Sequence, residues 1–212
     1  MSAAAPTIPG PPGPRALLYL AYARLLGFPD ERLVESVARG EVAREAAELH
    51  TAADFLEPSA PLEPRGGEGL EPTYIATFEV GVPEPPVPLY ESAYAADDKG
   101  ARRALLEELV RFYEFFDLDL GESPSEAPDH VTVELEFLAG LAQLEHLATL
   151  QGADPTAFRL AQRDFLDRHL VGFLRRICSR PVPRGFYRAV LEALRGAVEA
   201  DWARLGGSEA GI

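Results

Sequence analysis

The sequence predicts an all-α fold, a single helical domain of about seven to eight helices with long Pro/Gly-rich loops, on three observations. Apolar residues recur at three-and-four spacing through most of the chain, the period of a helix face. The one stretch that alternates like a strand, "HVTVELEF" at 130–137, has no second convincing strand with a hairpin turn to pair with. The intervening segments are rich in proline and glycine, which interrupt regular structure.

Residues 1–14 read as a disordered tail, and "RALLYLAYARLL" (15–26) follows as a short amphipathic helix stopped by Gly27 and Pro29. Residues 30–37 add a turn or two. "EVAREAAELHTAADFL" (41–56) is helical on its alanine and glutamate content. Composition then shifts: residues 57–72 hold four prolines and three glycines, and are expected to form a mobile loop. "TYIATFEVGV" fits either a helix or a short strand, and "PEPPVP" (83–88) packs four prolines into six residues, which forbids regular structure. Residues 101–118 restore a helix with Leu105, Leu109, Phe112, Tyr113 and Phe116 on one side.

For 130–150 the helix prevails over the strand. Leu135, Leu138 and Ala142, with Leu141, Leu144 and Ala148, continue at helical spacing, and Gly152 with Pro155 marks the end. The early alternation then means a helix apolar on nearly all sides, which places it in the middle of the bundle. Helices over 156–177 and 184–205 complete a domain spanning 15–206, and 207–212 reads as a flexible tail.

Composition excludes several classes of function. The 212 residues carry a net charge of −14, against nucleic acid as a main partner, since phosphate binding needs a basic surface. A single cysteine, Cys178, rules out an intramolecular disulfide framework or a four-thiolate metal site within the chain, and fits a reducing cytosol. No stretch reaches the roughly 18 apolar residues of a membrane span, and the N-terminus lacks the pattern of a secretory signal, so the chain is expected to stay soluble in the cytoplasm. Neither a phosphate-binding glycine loop nor an HExxH motif occurs.

Two stretches carry candidate sites. In "EAPDHVTVE", His130 and Glu134 stand one helical turn apart, a spacing able to hold a metal, but no paired Glu-x-x-His completes a set. Asp129 after Pro128 reads either as the cap of the following helix or as part of an acidic rim, since residues 117–136 contain seven acids and no lysine or arginine. In "PPVPLYESAY", Tyr90 and Tyr94 flank Glu91 and Ser92 on a proline-stiffened loop. The rings serve either as binding anchors or as pins holding the loop to the core.

"FEVGVPEPPVPLYESAY", "EAPDHVTVELEFLAGL" and "FLDRHLVGFL", in that order on a helical chain of this length, resemble the TorD/DmsD/NarJ family of redox-enzyme maturation chaperones. Within it the chain is most similar to the delta proteins that accompany dimethyl sulfide dehydrogenase, ethylbenzene dehydrogenase and selenate reductase. The resemblance implies a cytoplasmic chaperone, with no catalytic residue, metal or cofactor of its own. Its partner would be the catalytic subunit of a molybdopterin-dependent oxidoreductase of the dimethyl sulfoxide reductase family, bound at a twin-arginine signal peptide until the cofactor is inserted. By motif, Glu126, Asp129 and His130 fall in the signal-peptide site, and Tyr90, Ser92 and Tyr94 match the aromatic and serine positions of the proline-rich loop. Glu91 and Glu134 complete the expected client-binding set. Fixed carboxylates beside an aromatic groove suit a segment of two arginines followed by an apolar helix. The competing reading is a helical adaptor or regulatory module without a molybdoenzyme client.

Overall fold

A computed structural model describes residues 10–54, 69–95, 99–116, 127–182 and 185–207. These form helices α1 (Pro14–Leu26), α2 (Glu31–Ala38), α3 (Glu41–Ala52), α4 (Leu70–Tyr74), α5 (Lys99–Phe115), α6 (Val131–Leu150), α7 (Thr156–Phe165), α8 (Val171–Ser179) and α9 (Phe186–Arg204). A π-helical turn at Ile75–Glu79 prolongs α4, and another at Leu166–Leu170 joins α7 to α8 in one continuous rod. The described residues therefore make eight helical rods and a 3-10 turn at Glu91–Tyr94, with no named strand.

α6 is the central element, as its all-round apolar character predicts. Val131, Leu135, Leu138 and Leu141 are fully buried, and α1 and α7 lie along it. Burying four such side chains is worth roughly 1.5–3 kcal/mol each. The helix ends as the sequence predicts: Gly152 adopts φ 69, a left-handed conformation that suits glycine. There the Ala153 amide donates to Ala148 O at 2.8 Å and the Gly152 amide to Thr149 O at 3.2 Å, so both free carbonyls are capped.

α1 is more enclosed than an amphipathic surface helix. It buries Ala16, Leu18, Tyr19, Tyr22, Ala23, Leu25 and Leu26, because α3, α6 and α9 all pack against it. Its charged start is absorbed by a buried network. Arg15 pairs with Glu145 of α6 and with Asp201 of α9, the latter at 3.1 Å, and donates to Gln162 of α7 at 2.9 Å. Tyr19 adds a hydroxyl bond to Asp201 at 2.7 Å. Burial alone pushes the Glu145 carboxyl up, but Arg159, Arg15 and Gln162 together hold it below the usual range. One guanidinium thus ties four helices together.

Several boundaries differ from the sequence expectation. "TYIATFE" is helical, and residues 70–72 of the expected 57–72 loop open α4, while 57–68 lie outside the described residues. Of the expected N-terminal tail, 1–9 lie outside the described residues, but Gly13 is buried and its amide donates to Gln143 Oε1 at 2.7 Å. Residues 208–212 also lie outside them. After α4 the chain turns tightly: a side chain on Gly81 would overlap the Glu84 carbonyl at 2.0 Å, which only glycine avoids. Val87 and Leu89 then enter the core and aim the next residues at the start of α6.

Candidate functional site

The two stretches singled out in the sequence meet. The Val131 amide donates to Leu89 O and the Glu91 amide to Asp129 O, both at 2.8 Å, forming an isolated antiparallel bridge between Tyr90 and His130. Prolines on both approaches, at 83–88 and at 128, restrict each segment before it pairs. The Tyr90 and His130 rings sit edge to face, with centroids 4.9 Å apart, and Tyr90 keeps 37% of its surface exposed.

Asp129 does not cap its own helix. The cap of α6 is His130, whose Nδ1 accepts from the Thr132 amide at 3.3 Å and lies 2.7 Å from Thr132 Oγ1. The Asp129 carboxylate reaches across the bridge instead and accepts from the Ser92 amide at 3.1 Å, capping the 3-10 turn. The capping chemistry was legible; the helix it serves was not. Asp129 is 2% exposed, so it forms part of a buried junction and not an open rim.

Beneath the bridge lies a buried cluster of acids. Glu91 Oε2 accepts from His169 Nδ1 at 3.0 Å, and both side chains are buried. Glu134 is fully buried, and neither of its carboxyl oxygens has a hydrogen-bond partner among the described residues. Burial first, then the charges of Glu91 and Asp129, push its carboxyl well above the ordinary glutamate range. The same surroundings act on Tyr113: burial, then Glu134, Glu91 and Asp129, raise its phenol far above normal, so it remains a donor, here to Pro128 O at 2.8 Å. Among the described residues, His169 is the only ion-pair partner of Glu91, and neither Asp129 nor Glu134 has one.

Tyr94 faces away from this cluster. Its hydroxyl donates to Pro88 O at 3.0 Å, its ring packs on Phe173 with centroids 5.5 Å apart, and the Arg180 guanidinium covers it at 5.2 Å. Burial, the leading influence, raises its phenol to about 12. Of the two readings left open for the tyrosines, Tyr94 takes the pin and Tyr90 has the exposure an anchor needs. Glu126 lies outside the described residues.

Sequence reasoning missed His169, Glu108 and Tyr113. His169 is set by the π-helical turn between α7 and α8, a distortion that recurs at functional sites. Its stretch, "FLDRHLVGFL", was visible, but nothing in it points to a partner 78 residues earlier. Glu108 sits 2.6 Å from Arg168 Nη2 and 3.9 Å from His169 Nε2, closing the cluster from α5. Among the described residues no group of three or more His, Cys, Asp or Glu side chains gathers to hold a metal, and the His130 and Glu134 pair finds no third ligand. No helix among them is long and apolar enough to cross a membrane.

The chain is similar to known proteins in sequence and in fold. The nitrate reductase delta subunit family model matches residues 38–179, a range containing every member of the cluster. A selenate reductase assembly chaperone of Thauera selenatis is 46% identical over 140 residues, covering 66% of this chain and 72% of its own. A chlorate reductase assembly chaperone of Ideonella dechloratans is 37% identical over 156 residues, covering 74% and 70%. A perchlorate reductase assembly chaperone of Dechloromonas aromatica is 32% identical over 200 residues, covering 88% and 87%. A solved chain from Archaeoglobus fulgidus, assigned as a redox enzyme maturation protein, superposes with a TM-score of 0.50 at 20% identity, covering 92% of this chain and 99% of its own. That likeness concerns the fold alone. The chain belongs to the nitrate reductase delta subunit family, the TorD/NarJ family of assembly chaperones, and is not an enzyme.

Proposed function

We propose that this chain acts in the cytoplasm as a dedicated chaperone for the catalytic subunit of a molybdenum-cofactor oxidoreductase of the dimethyl sulfoxide reductase family. It holds the subunit, at an N-terminal twin-arginine signal peptide, until the cofactor has been inserted. The observation that carries the reading is the Tyr90–His130 junction. It sets an exposed aromatic ring beside a buried cluster of acids, Glu91, Asp129 and Glu134, none of which pairs with an arginine or lysine among the described residues. A signal peptide offers the complement, two guanidinium groups followed by an apolar segment. The selenate, chlorate and perchlorate reductase chaperones among its relatives support a client of this kind.

The direct test is co-expression of the tagged chain with the catalytic subunit of such an enzyme from the same organism. Stoichiometric co-purification of the cofactor-free subunit, released once the subunit is loaded, is the expected result. Recovery of other proteins and never the subunit would favour the adaptor reading.

A further inference from the structure

Of the three longest helices, α5 is the least enclosed. Among its 17 residues only Leu109 and Tyr113 are buried, and Phe115 is 81% exposed, whereas α6 and α9 bury most of their length. Its apolar face, with Leu105, Phe112 and Phe116 half-buried beside those two, lies across an aromatic floor built by α6, α7 and the π turn. Between ring centroids, Phe112 meets Phe165 at 5.4 Å and His169 at 5.7 Å, and Tyr113 meets Phe137 at 4.8 Å. At mid-helix Glu108 pairs with Arg168, an exposed side chain. An element that buries so little of itself opens at low free energy, as a unit, while the core beside it stays folded.

The ground under α5 also holds polar atoms without hydrogen bonds. Both oxygens of Glu134 and Nε2 of His169 are buried and unpartnered among the described residues. α5 helps to enclose both: Tyr113 is near enough for the charge of Glu134 to raise its phenol, and Glu108 stands 3.9 Å from His169 Nε2. Seating α5 therefore helps to strip these groups of water without replacing it, which subtracts from the grip of the apolar face. Lifting α5 returns water to them.

We propose that α5 is a displaceable lid: it is the internal occupant of a helix-binding trough floored by Phe137, Phe165 and His169, and the trough's other occupant is an amphipathic helix of a partner protein. α5 itself defines what fits, a segment of about three helical turns with aromatic and aliphatic side chains at the spacing of 105, 109, 112, 113 and 116. None of the floor belongs to the Tyr90–His130 bridge, so occupancy of the trough is independent of how that bridge is used. A partner helix has to displace α5 before it binds, and its apparent affinity is that of the open trough reduced by the fraction of chains with α5 lifted. Weakening the lid therefore strengthens capture, the opposite of what loss of a binding residue does.

The probe is the synthetic segment ARRALLEELVRFYEFF, residues 101–116, carrying a fluorophore, with a control segment that bears the Phe112→Ala change. In the full chain Phe112→Ala removes the ring that α5 lays on Phe165 and His169. Hydrogen exchange read by mass spectrometry should show the α5 amides of the parent opening about tenfold or more above those of α6, and about tenfold more again in Phe112→Ala, with α1 and α6 unchanged. Fluorescence anisotropy should show Phe112→Ala binding the probe about tenfold more tightly than the parent does, and the control segment about tenfold or more weakly than the probe. Amides of α5 that open only together with α6 would overturn the lid, as would probe binding that Phe112→Ala weakens or leaves unchanged, absence from both proteins included. Loss of protection throughout the variant would overturn it as well, because α5 would then be an integral part of the core.

Discussion

Replacing Glu134 by glutamine removes one titration from the folded core while leaving the shape of the side chain almost unchanged. In the parent, burial first and the charges of Glu91 and Asp129 second keep this carboxyl protonated well above the ordinary glutamate range. In the unfolded chain the same group ionises near about pH 4.3. Between those two points the folded state holds one proton more than the unfolded state, so stability falls as pH rises, by up to about 1.4 kcal/mol per pH unit. The favourable contribution is complete below the unfolded value and is lost as pH climbs through the folded one. Glutamine carries no such dependence. The stability of Glu134→Gln relative to the parent should therefore improve as pH rises above the unfolded value of about 4.3. Urea unfolding followed by circular dichroism at several pH values measures it, with a constant slope confirming that only the midpoint moves. Parallel pH profiles for the two proteins would refute the placement of Glu134 as a protonated, unpartnered group.

Other perturbations separate structure from recognition. Asp129→Ala removes the acceptor for the Ser92 amide and should cost about 1–2 kcal/mol of stability, whereas Asp129→Asn keeps an acceptor oxygen and should cost less than about 1 kcal/mol; chemical denaturation distinguishes them. Tyr90→Ala should leave the melting temperature nearly unchanged and weaken peptide binding. Tyr94→Ala should do the reverse, because its ring is locked between Phe173 and Arg180; thermal melts beside calorimetry score both. Arg15→Met removes the cation shared by the buried carboxylates of Glu145 and Asp201, which keep Arg159 and Arg204, and should destabilise the fold by about 1.5–3 kcal/mol, read from the denaturation midpoint.

Helical periodicity made most of the fold legible, and its one ambiguity was resolved by context. Val131, Val133, Leu135 and Phe137 alternate like a strand because α6 buries every side of its first turns, so polarity there carries no face information. The same reasoning applies to α1, whose buried positions go round the helix and so hide its depth. The π turns were not legible: one inserted residue in a helix leaves no mark on an apolar pattern, yet the turn at 166–170 is what brings His169 to Glu91. In the site, the residue types were readable and their pairing was not. Asp129 reads as a cap, and it is one, but for a turn 37 residues earlier. His169 escaped notice because its polar partners, Glu91 and Glu108, are distant in sequence, and long-range pairing has no local signature.

On the proposed function, the joined stretches at 90–94 and 129–134 receive the N-terminal segment of a catalytic subunit. The most direct measurement is calorimetric titration of the cofactor-free subunit, with and without that segment, into the parent chain and into folded Asp129→Asn. The intact subunit should bind the parent tightly, with a loss of about 1.5–3 kcal/mol on Asp129→Asn and a loss at least as large when the segment is removed. A truncated subunit that binds both proteins as well as the intact one would contradict it.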